Sequence, residues 1–157
     1  MGSCCFTGHR AMSMEEQQRI YPILMEKLTE ATAKGVTVFR NGGALGFDTM
    51  SALSVIKLKE RHPQLKLFID APHRGQSERW EEFDRNVYEY ILARADKVTY
   101  VSERYQRGCM QKRNRFMVDN SDFVIAYVKR ILFHCKHKIS PCGCPSCGNQ
   151  RKSVPAP

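Results

Sequence analysis

A glycine-rich stretch between an apolar run and a helical pattern constrains this fold more than any other feature. Residues 41–48 read Asn-Gly-Gly-Ala-Leu-Gly-Phe-Asp, after the apolar residues 36–40 and before an amphipathic pattern that begins at Thr49. A strand, a glycine-rich loop and a helix in this order build an anion site, because helix N-terminal amides and the helix dipole face the ligand. The spacing matches neither the dinucleotide fingerprint nor the P-loop. The alternative is a tight turn whose glycines serve geometry alone.

Alternating strand and helix patterns predict the fold class. Five short apolar runs, separated by helical patterns, occupy residues 4–6, 36–40, 65–69, 97–101 and 123–127. This alternation predicts an α/β fold, a Rossmann-like three-layer α/β/α domain with a mostly parallel sheet of about five strands. Ser13 and Glu16 form a capping-box pattern that starts the first helix, and Pro22 predicts a kink or a later start.

Polar, glycine-containing segments follow the first four predicted strands. In open α/β sheets ligands bind at the carboxyl ends of the strands, so these segments should converge on one edge. Arg10, Arg74, Arg113 and Arg115 would give that edge a positive field suited to a phosphorylated ligand. For each residue a simpler interpretation stays open: His9 as a capping or core histidine, and the arginines as solvated charges. The segments are residues 7–10, 41–48, 72–76 and 102–108.

The net charge of +9 is concentrated near the end of the chain. Six Lys or Arg and no acidic residue follow Val128, so the first 128 residues carry 19 basic and 16 acidic side chains. A nearly balanced body does not favour a dedicated duplex-binding face, although a basic tail adds sequence-independent affinity for nucleic acid. The sequence has no apolar run of roughly 18 to 20 residues, so we expect no membrane association and a cytoplasmic protein.

Several motifs, taken in order over residues 4 to about 128, resemble the YpsA-like branch of the SLOG superfamily. These Rossmann-like domains are related to the cytokinin-activating lysine-decarboxylase-like proteins and to the core of DNA-processing protein A. The resemblance implies a nucleotide or nucleotide-derived ligand at the glycine-rich edge. The motifs are residues 5–10 (Cys-Phe-Thr-Gly-His-Arg), 41–48, 71–72 (Ala-Pro), 105–109 (Tyr-Gln-Arg-Gly-Cys), 113–119 (Arg-Asn-Arg-Phe-Met-Val-Asp) and 121–122 (Ser-Asp).

The candidate ligand-binding residues come from these segments. The glycines would allow close approach, the arginines would bind phosphate, and Asp48 would bind either a ribose hydroxyl or the amides of its own loop. The full set is Thr7, Gly8, His9, Arg10, Asn41, Gly42, Gly43, Gly46, Asp48, Pro72, Arg74, Arg113 and Asn114.

Two other functions remain as alternatives. A hydrolase that cleaves an N-glycosidic or phosphoester bond needs a carboxylate near the sugar, for which Asp48, Asp70, Glu78 and Asp119 are candidates. The family's later Gly-Gly-Thr turn and the catalytic Glu of the cytokinin-activating relatives are missing after Asp122, so the sequence favours binding over catalysis. A single-stranded nucleic-acid binder resembling DNA-processing protein A is the other alternative.

The C-terminal segment departs from the family pattern. The sequence places the SLOG domain at residues 1–130 and a divergent, basic, Cys/Pro-rich tail, expected to be poorly ordered, at residues 131–157. An unpaired fifth strand at the sheet edge would favour a homodimer. No cofactor is expected apart from structural zinc in the tail, and an unstructured terminus is the alternative interpretation. The zinc candidates are Cys135, Cys142, Cys144 and Cys147.

Overall fold

The computed structural model describes residues 2–128 and the backbone of residues 131–136. Strands and helices alternate as predicted over the first five strands. The strands are β1 (Gly2–Gly8), β2 (Val36–Asn41), β3 (Lys66–His73), β4 (Lys97–Ser102), β5 (Phe123–Val128) and β6 (Ile131–Lys136). The helices are α1 (Met14–Ala33), α2 (Phe47–Lys59), α3 (Glu82–Arg94) and α4 (Cys109–Asp119).

The strands form one sheet in the order β4-β3-β2-β1-β5-β6. The first five strands are parallel, which confirms the predicted Rossmann-like class. The chain moves from β1 stepwise to β4, and then crosses back to place β5 on the other side of β1. The point between β1 and β5, where the strand order reverses, is where α/β sheets of this kind bind ligands.

β6 is a sixth strand beyond the predicted five, and it pairs antiparallel with β5. It was missed because it follows β5 without an intervening helix, whereas the prediction counted strands separated by helices. The sheet therefore extends past residue 130, where the sequence places the end of the domain. β6 also covers the edge of β5, so the open edge that motivated the homodimer hypothesis is paired.

Helices cover both faces of the sheet. Alternate residues of β1 point to opposite sides: Cys4 and Phe6 pack with α1, α2 and α3, whereas Cys5 packs with α4. The larger core contains fully buried Leu24 of α1 and Val55 of α2, and the smaller one contains Met117 of α4. Three layers result, and α4 lies on the opposite face of the sheet from the other helices.

The start of α1 agrees with its sequence pattern. The Ser13 hydroxyl accepts the Glu16 N–H at 3.1 Å, and the Glu16 carboxylate accepts the Ser13 N–H at 3.0 Å, so the capping box is formed. The helix is continuous through Pro22 and does not start late. Within the described residues no helix combines the length and the apolar character needed to cross a membrane.

Candidate functional site

A cavity of about 110 Å³ lies at the carboxyl edge of the sheet, at the end of β1. We call it the switch-point cavity, because β1 is the strand on which the order of the sheet reverses. Two of the four predicted segments, residues 7–10 and 41–48, line this cavity together with the first turns of α4, onto which the fourth segment leads. Six predicted site residues line it, namely Thr7, Gly8, Arg10, Asp48, Arg113 and Asn114.

Asn41 holds the glycine-rich loop in shape instead of facing the cavity. Its side chain is fully buried, and its Nδ2 donates to the Asp48 carbonyl at 2.8 Å and to the Ser51 hydroxyl at 3.0 Å. Its Oδ1 accepts the Gly43 N–H at 2.7 Å. Asn41 therefore connects the end of β2, the loop and the first turn of α2, which fixes the positions of the loop amides.

Two glycines of the loop are required by backbone geometry. Gly46 has φ of 77°, and a Cβ at this position would overlap the carbonyl groups of His9 and Arg10. The Phe47 N–H donates to the His9 carbonyl at 3.0 Å. The loops after β1 and β2 therefore pack backbone against backbone. Gly43 has φ of 63°, and a Cβ there would lie 2.8 Å from the ring of Tyr88.

Arg113 is the buried cation of the cavity. It is only 5% exposed, and its Nη1 lies 3.6 Å from Oδ2 of Asp48, longer than a hydrogen bond. Its Nε and Nη1 have no hydrogen-bond partner within the described part of the chain. The guanidinium lies where a Cβ at Gly42 would be, so the absence of a side chain at Gly42 makes room for it.

Asp48 accepts a hydrogen bond from an amide of its own glycine-rich loop. Its Oδ2 accepts the Ala44 N–H at 3.3 Å, and the residue is 7% exposed. Burial raises the pKa of the Asp48 carboxyl above its ordinary value, although the charge of Arg113 and the Ala44 amide act in the opposite direction. Of the two roles predicted for Asp48, the structure shows the contact with its own loop.

Three other predicted site residues lie outside the switch-point cavity. Arg74 is exposed and pairs with Glu103 at 2.8 Å. The pKa of Glu103 is correspondingly lowered by this hydrogen bond. Pro72 is buried within β3, two residues before the loop begins. The ring of His9 packs edge-on against Tyr127, with 5.7 Å between the ring centres.

Two residues near the glycine-rich loop were missed as site candidates. The Gln76 side-chain amide donates to the Gly43 carbonyl, which holds the loop from the β3 side. Tyr88 of α3 is 5% exposed, and burial raises its pKa to about 12. Its spacing of three residues from the buried Ile91 was the signal available in the sequence.

The carboxylates considered for hydrolysis do not gather at the cavity. Asp70 is fully buried and pairs with Arg40 at 2.9 Å, while Glu78 and Asp119 are exposed elsewhere. Among the described residues that line the cavity, Asp48 carries the single carboxyl group.

The zinc hypothesis falls largely on residues that the structure does not describe. Cys142, Cys144 and Cys147 lie outside the described residues, as does the side chain of Cys135. In the part that is described, no group of three or more His, Cys, Asp or Glu side chains could hold a metal ion.

The sheet order and the glycine-rich edge define a Rossmann-like α/β domain with a cleft at its switch point. The YpsA model, described as the YspA SLOG family, matches residues 4–130, and the chain belongs to this family. A UPF0398 protein of Bacillus pumilus is 34% identical over 126 residues, which are 79% of this chain and 65% of that protein. A UPF0398 protein of Bacillus cereus is 32% identical over 105 residues, or 66% of this chain and 57% of the relative.

This chain therefore spans about three fifths of the length of these curated relatives. The fold is also similar to a solved structure of DNA processing protein A from Helicobacter pylori, which was described for its single-stranded DNA binding mode. The TM-score is 0.53 at 19% identity, and the match covers 80% of this chain and 53% of the other. At this identity the likeness shows the fold.

Proposed function

We propose that this SLOG domain binds a nucleotide or a nucleotide-derived small molecule, with a phosphate group in the switch-point cavity. Arg113 is the observation that carries the proposal. A buried guanidinium with two nitrogen atoms that lack hydrogen-bond partners among the described residues is costly unless a ligand or water supplies acceptors. Phosphate oxygens match the planar fork of arginine and form charge-assisted hydrogen bonds with it.

The size and lining of the cavity fit one phosphate group. Its volume of about 110 Å³ corresponds to roughly three or four water molecules at about 30 Å³ each. Thr7 and Asn114 line the cavity, and the hydroxyl of Thr7 and the amide of Asn114 can donate hydrogen bonds. Arg10 also lines the cavity and adds a second positive charge. The base and sugar of a nucleotide must then lie outside the cavity, along the edge of the sheet.

Binding fits these residues better than hydrolysis does. Glycosidic hydrolysis generally uses two carboxyl groups, one as an acid and one as a base or nucleophile. Of the described residues that line the cavity, only Asp48 has a carboxyl group, and its Oδ2 is engaged by the Ala44 amide. A nucleic-acid strand, the alternative partner, is too large for this cavity, and its binding would need a longer positively charged surface.

The test is a thermal-shift screen of the full chain with inorganic phosphate, AMP, ADP-ribose and NAD. A ligand at about 100 times its dissociation constant adds about 2.7 kcal/mol, which raises Tm by roughly 5 to 10 °C for a chain of this size. We expect AMP or ADP-ribose to give this shift, and phosphate to give a smaller one. Product analysis of the same samples by chromatography reports any turnover.

Asn114→Asp is the decisive variant, because Asn114 is exposed and the change leaves the core intact while adding a negative charge at the cavity. The ligand-induced shift should disappear in this variant. Gln111→Glu, an equal charge change at an exposed position of the same helix, should keep it. A folded protein that gives no shift with any of the four compounds would overturn the proposal, as would an unchanged shift in Asn114→Asp.

A further inference from the structure

The positive charge of the domain is concentrated in one segment. Residues 102–120, which contain the β4–α4 loop and α4, carry five Lys or Arg and two Asp or Glu. Their net charge of +3 equals that of the first 128 residues, in which 19 basic residues face 16 acidic ones. The rest of the described body is therefore neutral, and its positive field originates at one corner of the sheet.

Four cations of this segment face solvent. Arg104 and Arg107 in the loop, and Lys112 and Arg115 on α4, are all exposed. We call these four residues the basic rim. The structure gives none of them an ion pair within the described residues. The nearby Glu103 carboxylate is already paired with Arg74, so it does not neutralise the rim.

An aromatic side chain stands among these charges. Tyr105 lies between Arg104 and Arg107 in sequence and is 70% exposed. Its ring packs edge-on with His73, at 5.7 Å between ring centres, which orients it without burying it. An exposed aromatic ring flanked by arginines is the arrangement on which unpaired bases stack while the cations bind the phosphates.

The basic rim continues into the switch-point cavity. Lys112 and Arg115 belong to the same two turns of α4 that carry Arg113 and Asn114 into the cavity lining. The rim and the cavity are nevertheless different surfaces, because Arg113 is buried while the rim cations are exposed.

We propose that the basic rim, with Tyr105 as a stacking platform, binds single-stranded nucleic acid. Localised cations supply the sequence-independent affinity for phosphates, and the exposed ring favours unpaired bases over a duplex. This function is independent of the small-molecule site, since it needs neither Arg113 nor the cavity.

The test is fluorescence anisotropy of the full chain with a labelled oligothymidylate of about 15 nucleotides, at several salt concentrations. If the four rim cations contact phosphates, they contribute about −2.8 to the slope of log affinity against log salt, which is a loss of roughly 50-fold between 50 and 200 mM salt. In Arg104→Gln/Arg107→Gln, which removes two of these contacts, the slope should become less steep by about 1.4. Tyr105→Ala should weaken binding about fivefold or more.

Matched controls separate the rim from general charge. Lys34→Gln/Arg61→Gln removes two exposed cations from the opposite, amino edge of the sheet, and Tyr90→Ala removes an exposed tyrosine from α3. Both should bind like the unmodified chain. Absent binding, equal losses in the rim and control variants, or equal affinity for a duplex of the same length would overturn the proposal. Asn114→Asp should lose the AMP shift and keep strand binding, so the two proposals fail separately.

Discussion

The guanidinium of Arg113 occupies the space in which a side chain on Gly42 would lie. Arg113 belongs to α4 on one face of the sheet, whereas Gly42 begins the loop that leads into α2 on the other face. The two layers therefore meet at the carboxyl edge through one arginine and one glycine. The glycine at position 42 is a condition for a buried cation in the cavity.

Gly42→Ala should displace this guanidinium and weaken phosphate or AMP binding by about 10- to 100-fold, the value of a lost charge-assisted hydrogen bond. Overpacking should also cost about 1 to 3 kcal/mol of unfolding free energy. Calorimetric titration and urea unfolding measure the two effects. Gly75→Ala is the control, since a Cβ there meets only the carboxylate end of the Glu78 side chain, which can move. Unchanged affinity in Gly42→Ala would contradict this assignment.

Gly46→Ala should destabilise the domain more than Gly35→Ala does. Both glycines have positive φ, 77° and 87°, so both substitutions carry the conformational cost of about 1 to 2 kcal/mol. A Cβ at Gly35 meets nothing within 4 Å, whereas one at Gly46 overlaps the backbone of His9 and Arg10. The difference in urea midpoint isolates the backbone contact between the two loops. Equal costs would show that the loops separate easily.

Asp48 should make stability depend on pH with a sign opposite to that of most carboxylates. Burial raises its pKa above 3.8, so the folded protein holds the proton at a pH where the unfolded chain has lost it. The unfolding free energy contributed by Asp48 therefore falls as pH rises from about 4 through the raised pKa, and is constant above it. Urea unfolding of the unmodified chain and Asp48→Asn from about pH 4 to 7 measures this. We expect the unmodified chain to lose unfolding free energy relative to Asp48→Asn as pH rises. A gain relative to Asp48→Asn would mean that the charge of Arg113 lowers the pKa of Asp48 overall.

The Arg40–Asp70 pair should matter for stability and not for binding. The two groups lie 2.9 Å apart, with side-chain exposures of 12% and 0%, and Arg40 also stacks on Phe68 and Phe116. Arg40→Met or Asp70→Leu alone leaves one buried charge unpaired and should cost about 3 to 5 kcal/mol. Arg40→Met/Asp70→Leu together should recover most of this loss. AMP-induced shifts should survive in the double variant, and their loss there would indicate that Asp70 serves the ligand.

The local patterns of this chain were sufficient to predict its parallel sheet and two of the segments that line the cavity, residues 7–10 and 41–48. Apolar runs that alternate with amphipathic segments indicate βα units, whatever the identity of the individual apolar residues. The carboxyl ends of the parallel strands in such units lie at one edge of the sheet. The capping box of Ser13 and Glu16 was readable because both partners lie within four residues. Contacts of short sequence range and the rules of parallel topology therefore explain what was correct.

Contacts between distant segments were not predictable in the same way. The sequence around Arg74 does not indicate that this residue pairs with Glu103, which lies 29 residues later. Because of this pairing, Arg74 does not line the cavity. Arg113 and Arg115 are two residues apart on one helix and look alike in sequence, yet one is buried and the other exposed. β6 escaped prediction because it adds to the sheet without a helical crossover. These outcomes depend on which elements pack together, and periodicity does not contain that information.

The hydrogen bond from Ala44 to the Asp48 carboxylate has a consequence for competition among anions. The Asp48 carboxylate is a covalently attached acceptor for the Ala44 amide of the glycine-rich loop, and attachment gives it an effective concentration of millimolar order or higher. A monovalent anion in free solution, such as chloride or acetate, has no advantage over a carboxylate held in place. Chloride and acetate should therefore not displace the Asp48 carboxylate from the Ala44 amide. An anion that binds here must also form hydrogen bonds with Arg113.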